Sequence, residues 1–184
     1  MFRPTDNLRA EHDVLRAGTA VLAAIGRAVG SGHPLPVRDS ATIIRFLREF
    51  VVGVHFHKEG TWVLPALAVH GDERTAELVG RQLRRQEEVV ELIHTLMLFW
   101  EPTSALSAAE RAGFAETVGA IASRLQQMCT AEEAQLFAMC EAKVPADDRL
   151  EWREQFARLE RERGGCDRWL PRLQALAAKW HGAA

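Results

Sequence analysis

A chain of 184 residues, 47% of them hydrophobic and 26% charged, is long enough for one or two globular domains with a buried core. Its formal net charge of -2 excludes the strongly basic surface that binding to nucleic acid requires. Because the sequence contains neither an apolar run of membrane-spanning length nor an apolar signal segment near its start, we expect a cytoplasmic protein with no membrane partner.

Long helices dominate the predicted structure, since Ala, Leu, Arg and Glu are abundant and Gly and Pro gather at a few breaks. The predicted helices cover residues 5–29, 40–69, 72–100 and 106–143, separated by breaks at 30–36, 70–72 and 101–104. Short breaks favour antiparallel neighbours. The sequence therefore predicts an all-α fold, an up-down-up-down four-helix bundle with additional C-terminal helices.

The C-terminal part contains two shorter amphipathic stretches after a break at 144–148, with a further break at 164–165 between them. Because about 35 residues rarely build a core of their own, we assign residues 1–145 to the bundle and 146–184 to a C-terminal helical extension packed on it. A homodimer contact is the alternative role for this extension.

The first two predicted helices carry polar residues where an apolar core face is expected. Residues three or four apart share one face of a helix, so that face can be followed along the sequence. On the first helix His12 falls on it, and on the second His55 and Glu59 follow one another on it. The apolar residues that define these faces are Leu8, Leu15 and Leu22, then Ile44, Leu47, Val51 and Val63.

The third and fourth predicted helices show similar interruptions. Gln86 is the polar residue expected on the core face of the third helix, and Glu132 is an acid on that of the fourth, one turn after Met128. The apolar residues that define these faces are Val79, Leu83, Val90, Ile93, Met97 and Trp100, then Phe114, Val118, Ile121, Leu125, Leu136 and Met139.

These polar positions lie at similar depths in an antiparallel bundle, within about 10 Å of one another along its axis at the rise of an α-helix. Two buried carboxylates and two imidazoles are costly unless a cation compensates their charge. A His and a Glu four residues apart share one helix face and can both reach one metal ion. We therefore predict that His12, His55, Glu59 and Glu132 are metal ligands.

Simpler interpretations of the same residues stay open. His55 and Glu59 could form an ordinary hydrogen bond within one helix. His12 could be a hydrogen-bonded core histidine, and Glu132 could belong with Glu133 to a solvated face if the fourth helix were rotated by one residue.

Three segments resemble the hemerythrin-like family, the hemerythrin HHE cation-binding domain: LRAEHDVLR around His12, HFHKEGTWVLPAL from His55, and TAEEAQLF from Thr130. The resemblance covers about residues 5–143. The family pattern implies a non-haem di-iron centre held by a His on the first helix, His-x-x-x-Glu on the second, a His on the third and a second His-x-x-x-Glu on the fourth.

Carried over by position, that pattern keeps His12, His55, Glu59 and Glu132 as ligands. The two remaining histidine positions of the family fall on Gln86 and Met128. The resemblance thus implies an incomplete di-iron site of one or two iron ions, with manganese or zinc as alternatives. Gln86 and Met128 would line the site as altered ligand positions or fill the core.

Three functions follow as hypotheses. The leading one is a non-haem metal-binding protein that senses or handles the metal or a small diatomic ligand such as O2 or NO. The second is a non-haem iron oxidase or peroxidase-like enzyme that uses an open coordination position. The third is a metal-free structural or interaction bundle that has kept the fold without the metal.

Overall fold

The computed structural model describes residues 3–98 and 105–181, and this part of the chain folds into six helices with no β-strand. Helix α1 is Pro4–Gly30, and α2 runs continuously over residues 37–70. Helix α3 is Glu73–Leu98, and α4 runs over 108–143. Helices α5, Ala146–Arg163, and α6, Cys166–His181, form the C-terminal part. The prediction of an all-α fold is confirmed, whereas the break expected at 101–104 lies outside the described residues.

Helices α1 to α4 form an antiparallel bundle in which α1 and α3 each pack against both α2 and α4. The start of α4 follows from its sequence. Ser107 accepts a hydrogen bond from the Glu110 backbone N–H at 3.3 Å, and the Glu110 carboxylate accepts from the Ser107 backbone N–H at 2.7 Å. This reciprocal capping box satisfies two backbone donors that the first turn would otherwise leave free.

Helix α1 approaches its neighbours closely at two glycines. A β-carbon at Gly18 would lie 2.2 Å from the ring of Phe46 on α2, and one at Gly26 would lie 2.4 Å from Val118 on α4. Both distances are shorter than any van der Waals contact. The two glycines therefore set how deeply α1 sits between α2 and α4.

Two apolar clusters fill the core, one on either side of the predicted polar layer. On α1, Leu8 belongs to one cluster and Leu15 to the other, so His12 lies between them. On α4 the same boundary runs between Met128 and Leu136. The polar residues are thus enclosed along the bundle axis by packed side chains.

The C-terminal helices contribute to both clusters. Trp152 and Phe156 of α5 pack in the cluster that contains Leu8, and Trp169 and Leu173 of α6 pack in the cluster that contains Leu15. Burial of these large side chains holds α5 and α6 against the bundle. The division of the chain at residue 145 stays a prediction.

The prediction of the core face of α3 is wrong, because the helix is rotated slightly relative to the predicted orientation. Leu83 and Met97, expected in the core, are 41% and 37% exposed. The buried residues of this helix are instead Thr75, Leu78, Val79, Gln82, Gln86, Val89, Ile93 and Leu96. The prediction followed the most apolar stripe and so preferred Leu83 to Gln82, whose amide is stabilised in the core by a hydrogen bond to Glu132. Trp100 lies outside the described residues.

Within residues 3–98 and 105–181, the helices lack a stretch that combines the length and apolar character needed to span a bilayer.

Candidate metal centre

The fold brings together the four residues predicted as metal ligands, from three different helices. His12 comes from α1, His55 and Glu59 from α2, and Glu132 from α4, and all four are almost fully buried. His12, His55 and Glu132 each offer one ligand atom within 4.8 Å of the others. Glu59 lies beside this group, with its Oε1 4.0 Å from His55 Nε2.

Both imidazoles turn the same ring nitrogen toward the interior of the cluster. His12 Nε2 lies 2.8 Å from Glu132 Oε2, and His55 Nε2 lies 3.6 Å from the same oxygen. Each Nδ1 faces an outer carboxylate at 2.8 Å, Glu133 for His12 and Glu11 for His55. A carboxylate that accepts from Nδ1–H leaves the Nε2 lone pair for a metal ion.

Glu59 and Glu132 occupy equivalent places in their helices. Each begins a wide π-type turn, because the backbone N–H five residues later, at Leu64 and Phe137 respectively, bonds to its carbonyl oxygen. Such turns are frequent at functional sites. In α2 the wide turn directly precedes Pro65, which has no backbone N–H and cannot continue an ordinary α-helical ladder.

One oxygen of Glu59 is left without a partner. Its Oε2 accepts a hydrogen bond from the Gln86 side-chain amide at 2.7 Å, but its buried Oε1 has no hydrogen-bond partner among the described residues. A buried carboxylate oxygen in this state carries a desolvation cost that a bound cation would offset. The residues present therefore fit a metal ion.

Burial and neighbouring charges shift the pKa values of Glu59, Glu132 and His55. Burial, followed by the negative charge of Glu132, raises the pKa of Glu59 to about 8. Burial also acts to raise the pKa of Glu132, but without metal the hydrogen bond from His12 and the nearby His55 imidazole outweigh burial and hold that pKa at about 2. Burial acts to lower the pKa of His55. The surrounding carboxylates, among which Glu59 contributes most, outweigh burial and hold that pKa well above its ordinary value.

The two altered positions of the family pattern behave differently. Gln86 lies at the cluster, and its amide N–H donates to Glu59, so the carbonyl oxygen is not the atom turned toward that acid. Met128 is buried in the apolar cluster with Leu125 and Cys129. Gln86 thus lines the site through its amide group, while Met128 fills the core.

Two of the simpler interpretations do not fit this geometry. Glu132 is 1% exposed, and its neighbour Glu133 is the acid that reaches the surface, where it bonds to Arg16 at 2.6 Å. The separation of 4.0 Å between His55 Nε2 and Glu59 Oε1 is too long for a hydrogen bond within the helix.

Sequence reasoning missed an outer layer of charged and polar residues that supports the cluster. It consists of Glu11, Gln82 and Lys58, which are buried, and of Glu133 and Glu160, which are partly buried. Gln82 lies one turn before Gln86, but a face chosen by its apolar residues favours the neighbouring Leu83. Lys58 carries no such signal, because a lysine in the middle of a helix is normally expected at the surface.

The family model described as Hemerythrin HHE cation binding domain matches residues 3–140. The match includes α1 to α3 and nearly all of α4, and it ends before α5. No curated protein and no solved structure shows significant similarity to the chain.

Proposed function

The chain belongs to the hemerythrin HHE cation-binding family, and on that basis we propose that His12, His55, Glu59 and Glu132 hold a single non-haem metal ion, with iron as the expected metal. The observation that carries this proposal is the buried Oε1 of Glu59, which has no hydrogen-bond partner in the described residues and lies beside His55 Nε2. Imidazole and carboxylate ligands suit iron, and also manganese or zinc.

The balance of buried charge supports the same proposal. Glu11, Glu59 and Glu132 are three buried carboxylates, and Lys58 is the buried ammonium group among them. When all three carboxylates are ionised and both imidazoles are neutral, as metal binding through Nε2 requires, three negative charges against one positive charge leave an excess of two. A divalent cation neutralises that excess, which the protein without metal reduces by keeping a proton on Glu59, whose pKa is raised to about 8.

A single ion is favoured because the α3 side of the cluster carries hydrogen-bond donors in place of ligands. Gln86 donates to Glu59 Oε2, and Gln82 donates to Glu132 Oε1. These amide groups occupy carboxylate oxygens that a second metal ion would need. Met128 offers a second ion only a thioether in an apolar setting.

The residues around the ligands have separate tasks. Glu11 and Glu133 hold the Nδ1 side of each imidazole, so that both Nε2 atoms face the interior. Phe137 stacks on the His12 ring at 5.1 Å between centroids and covers it from one side. Iron held by four protein ligands has coordination positions left for a small ligand such as O2 or NO, and this is the chemistry that we expect it to supply.

Metal analysis of protein purified without chelators tests the proposal. We expect one ion per wild-type chain by mass spectrometry, and loss of that ion in Glu59→Ala. Glu116→Ala, an exposed glutamate on α4, serves as the matched control and should keep it. Two tightly bound ions in the wild type would contradict the single site. A wild-type chain that takes up no Fe²⁺, Mn²⁺ or Zn²⁺ would support the metal-free bundle instead.

A further inference from the structure

Lys58 is a fully buried lysine beside the candidate metal centre, one residue before Glu59. Its ammonium group is paired with Glu11 and lies 2.8 Å from Asn7 Oδ1 and 2.5 Å from Glu160 Oε1. It also lies 4.8 Å from the centre of the Phe156 ring. A lysine is rarely buried completely, and here three oxygen atoms and an aromatic face compensate its charge.

These contacts form a continuous chain from the imidazole of His55 to the surface of α5. His55 Nδ1 lies 2.8 Å from one oxygen of Glu11, and Lys58 binds the other oxygen. Lys58 then binds Glu160, whose side chain is 27% exposed. Glu160 lies on α5, beyond the residues 3–140 that the family model matches.

We propose that Glu160 is a positioning residue for His55 and acts on it through Lys58 and Glu11. Lys58 holds one oxygen of Glu11, which fixes the other oxygen on His55 Nδ1 and thereby keeps Nε2 turned toward the metal ion. Glu160 binds the same ammonium group and keeps Lys58 in place. The C-terminal helix α5 thus belongs to the metal centre, and this inference rests on the proposed function.

The same contacts could also do no more than hold α5 against the bundle. The two roles differ in what happens at the imidazole. If Glu160 only packs α5 against the bundle, its loss should loosen α5 without changing the His55 ring. If it positions His55, its loss should weaken the hydrogen bond from His55 Nδ1–H to Glu11. The test therefore needs a signal from the ring itself.

Glu160→Gln removes the charge and keeps the shape of the side chain. Glu162→Gln, an exposed glutamate on the same helix, is the matched control. Zinc is the probe, because it is diamagnetic and suits the same ligands. Zinc affinity is measured by competition with a chelating indicator, and the His55 Nδ1–H signal is followed by ¹H–¹⁵N NMR of the zinc-loaded protein.

We expect Glu160→Gln to weaken zinc binding about tenfold, at the lower end of the effect known for outer partners of metal-bound histidines. The Nδ1–H signal of His55 should move upfield and exchange faster with water. Glu162→Gln should match the wild type in both measurements. An unchanged ring signal in Glu160→Gln would overturn the proposal, whether or not zinc affinity falls.

A second variant covers the case in which Glu160→Gln does not fold. Glu11→Gln combined with Lys58→Met removes both charges of the buried pair and so leaves neither of them uncompensated. Zinc affinity equal to that of the wild type in this variant would overturn the positioning role. A wild-type protein that binds no zinc, manganese or iron would instead refute the proposed function, and this inference with it.

Discussion

Replacing Glu59 by Gln should have opposite effects on stability in the absence and in the presence of metal. Without metal, burial and the charge of Glu132 raise the pKa of Glu59 to about 8 from its ordinary 4.5. At pH 7 the folded protein therefore holds a proton on this carboxyl group that the unfolded chain has lost. Because the folded state binds more protons than the unfolded chain, the free energy of unfolding falls as the pH rises from 4.5 to about 8.

The size of the effect follows from that difference in pKa. A pH of 7 is 2.5 pH units above the ordinary pKa of 4.5, and it is still below the pKa of about 8 in the folded protein. Each pH unit in this window corresponds to about 1.4 kcal/mol. Burial of Glu59 thus lowers the free energy of unfolding of the metal-free protein by about 3 kcal/mol at pH 7. Glu59→Gln removes this penalty, since its amide does not titrate and can still accept from Gln86.

Bound metal reverses the order of the two proteins. At a free metal concentration of about 1,000 times Kd, binding stabilises the wild type by about 4 kcal/mol. Glu59→Gln lacks one anionic ligand, and the order reverses because we expect it to gain less than the remaining difference of about 1 kcal/mol, which corresponds to a Kd a few hundred times that of the wild type. We expect urea unfolding in the presence of a chelator to show the variant more stable at pH 7 and equal to the wild type near pH 4. Unfolding in excess Mn²⁺ or Zn²⁺ should show the wild type more stable.

Two results would refute this reasoning. A Glu59→Gln protein that is less stable than the wild type at pH 7 in the presence of a chelator would mean that the carboxyl group is satisfied without a cation. A stability difference that does not change between pH 4 and pH 7 would mean that Glu59 does not titrate in this window. Glu116→Gln, on the exposed face of α4, is the control and should follow the wild type throughout.

Two further predictions follow from the structure. Gln86→His and Met128→His restore both histidine positions of the family, and Gln82→Ala frees Glu132 Oε1. The triple variant should raise the metal content from one ion to two per chain by mass spectrometry, whereas a content of one would contradict the role given to these positions. Gly18→Ala should lower the free energy of unfolding by about 1 to 3 kcal/mol, because its β-carbon would meet Phe46. Gly119→Ala, with open space at its β-carbon, should instead raise it by about 0.5 to 1 kcal/mol, and a similar gain at Gly18 would refute the close approach.

The four residues of the buried cluster could be predicted because each interrupts an apolar face. His12, His55, Glu59 and Glu132 stand where the helix period demands hydrophobic side chains, and the fold does place them in one buried cluster. Their assignment as metal ligands remains our proposal. Their positions along three of the four predicted helices, whose lengths were roughly known, indicated similar depths in the bundle.

The rotation of α3 could not be predicted from its apolar residues. Leu83 and Gln82 are neighbours, and a rule that favours apolar residues places Leu83 in the core. In the fold Gln82 is buried because Glu132, fifty residues later in the chain, accepts its amide hydrogen bond. The burial of a polar group depends on a partner from another helix, and the pattern of a single helix does not contain that partner.

Lys58 shows the same limit more strongly. Its burial depends on α5, which brings Glu160 and Phe156 to its ammonium group. The wide turns at Glu59 and Glu132 were also beyond prediction, because the helix pattern was followed with a uniform period of 3.6 residues. The burial of Lys58 arises because a neighbouring helix overrides local preference.

The two sides of the cluster differ in chemistry, and this difference argues for one metal ion. On the side of α1 and α2, two imidazoles present Nε2 inward, each with a carboxylate at Nδ1. On the side of α3, amide donors bind Glu59 and Glu132. A cation is attracted by lone pairs and repelled by N–H groups, so the first side suits a metal ion and the second suits the carboxylates themselves. A di-iron centre would need lone pairs on both sides, and in this chain the second side carries the amide N–H groups of Gln82 and Gln86 instead.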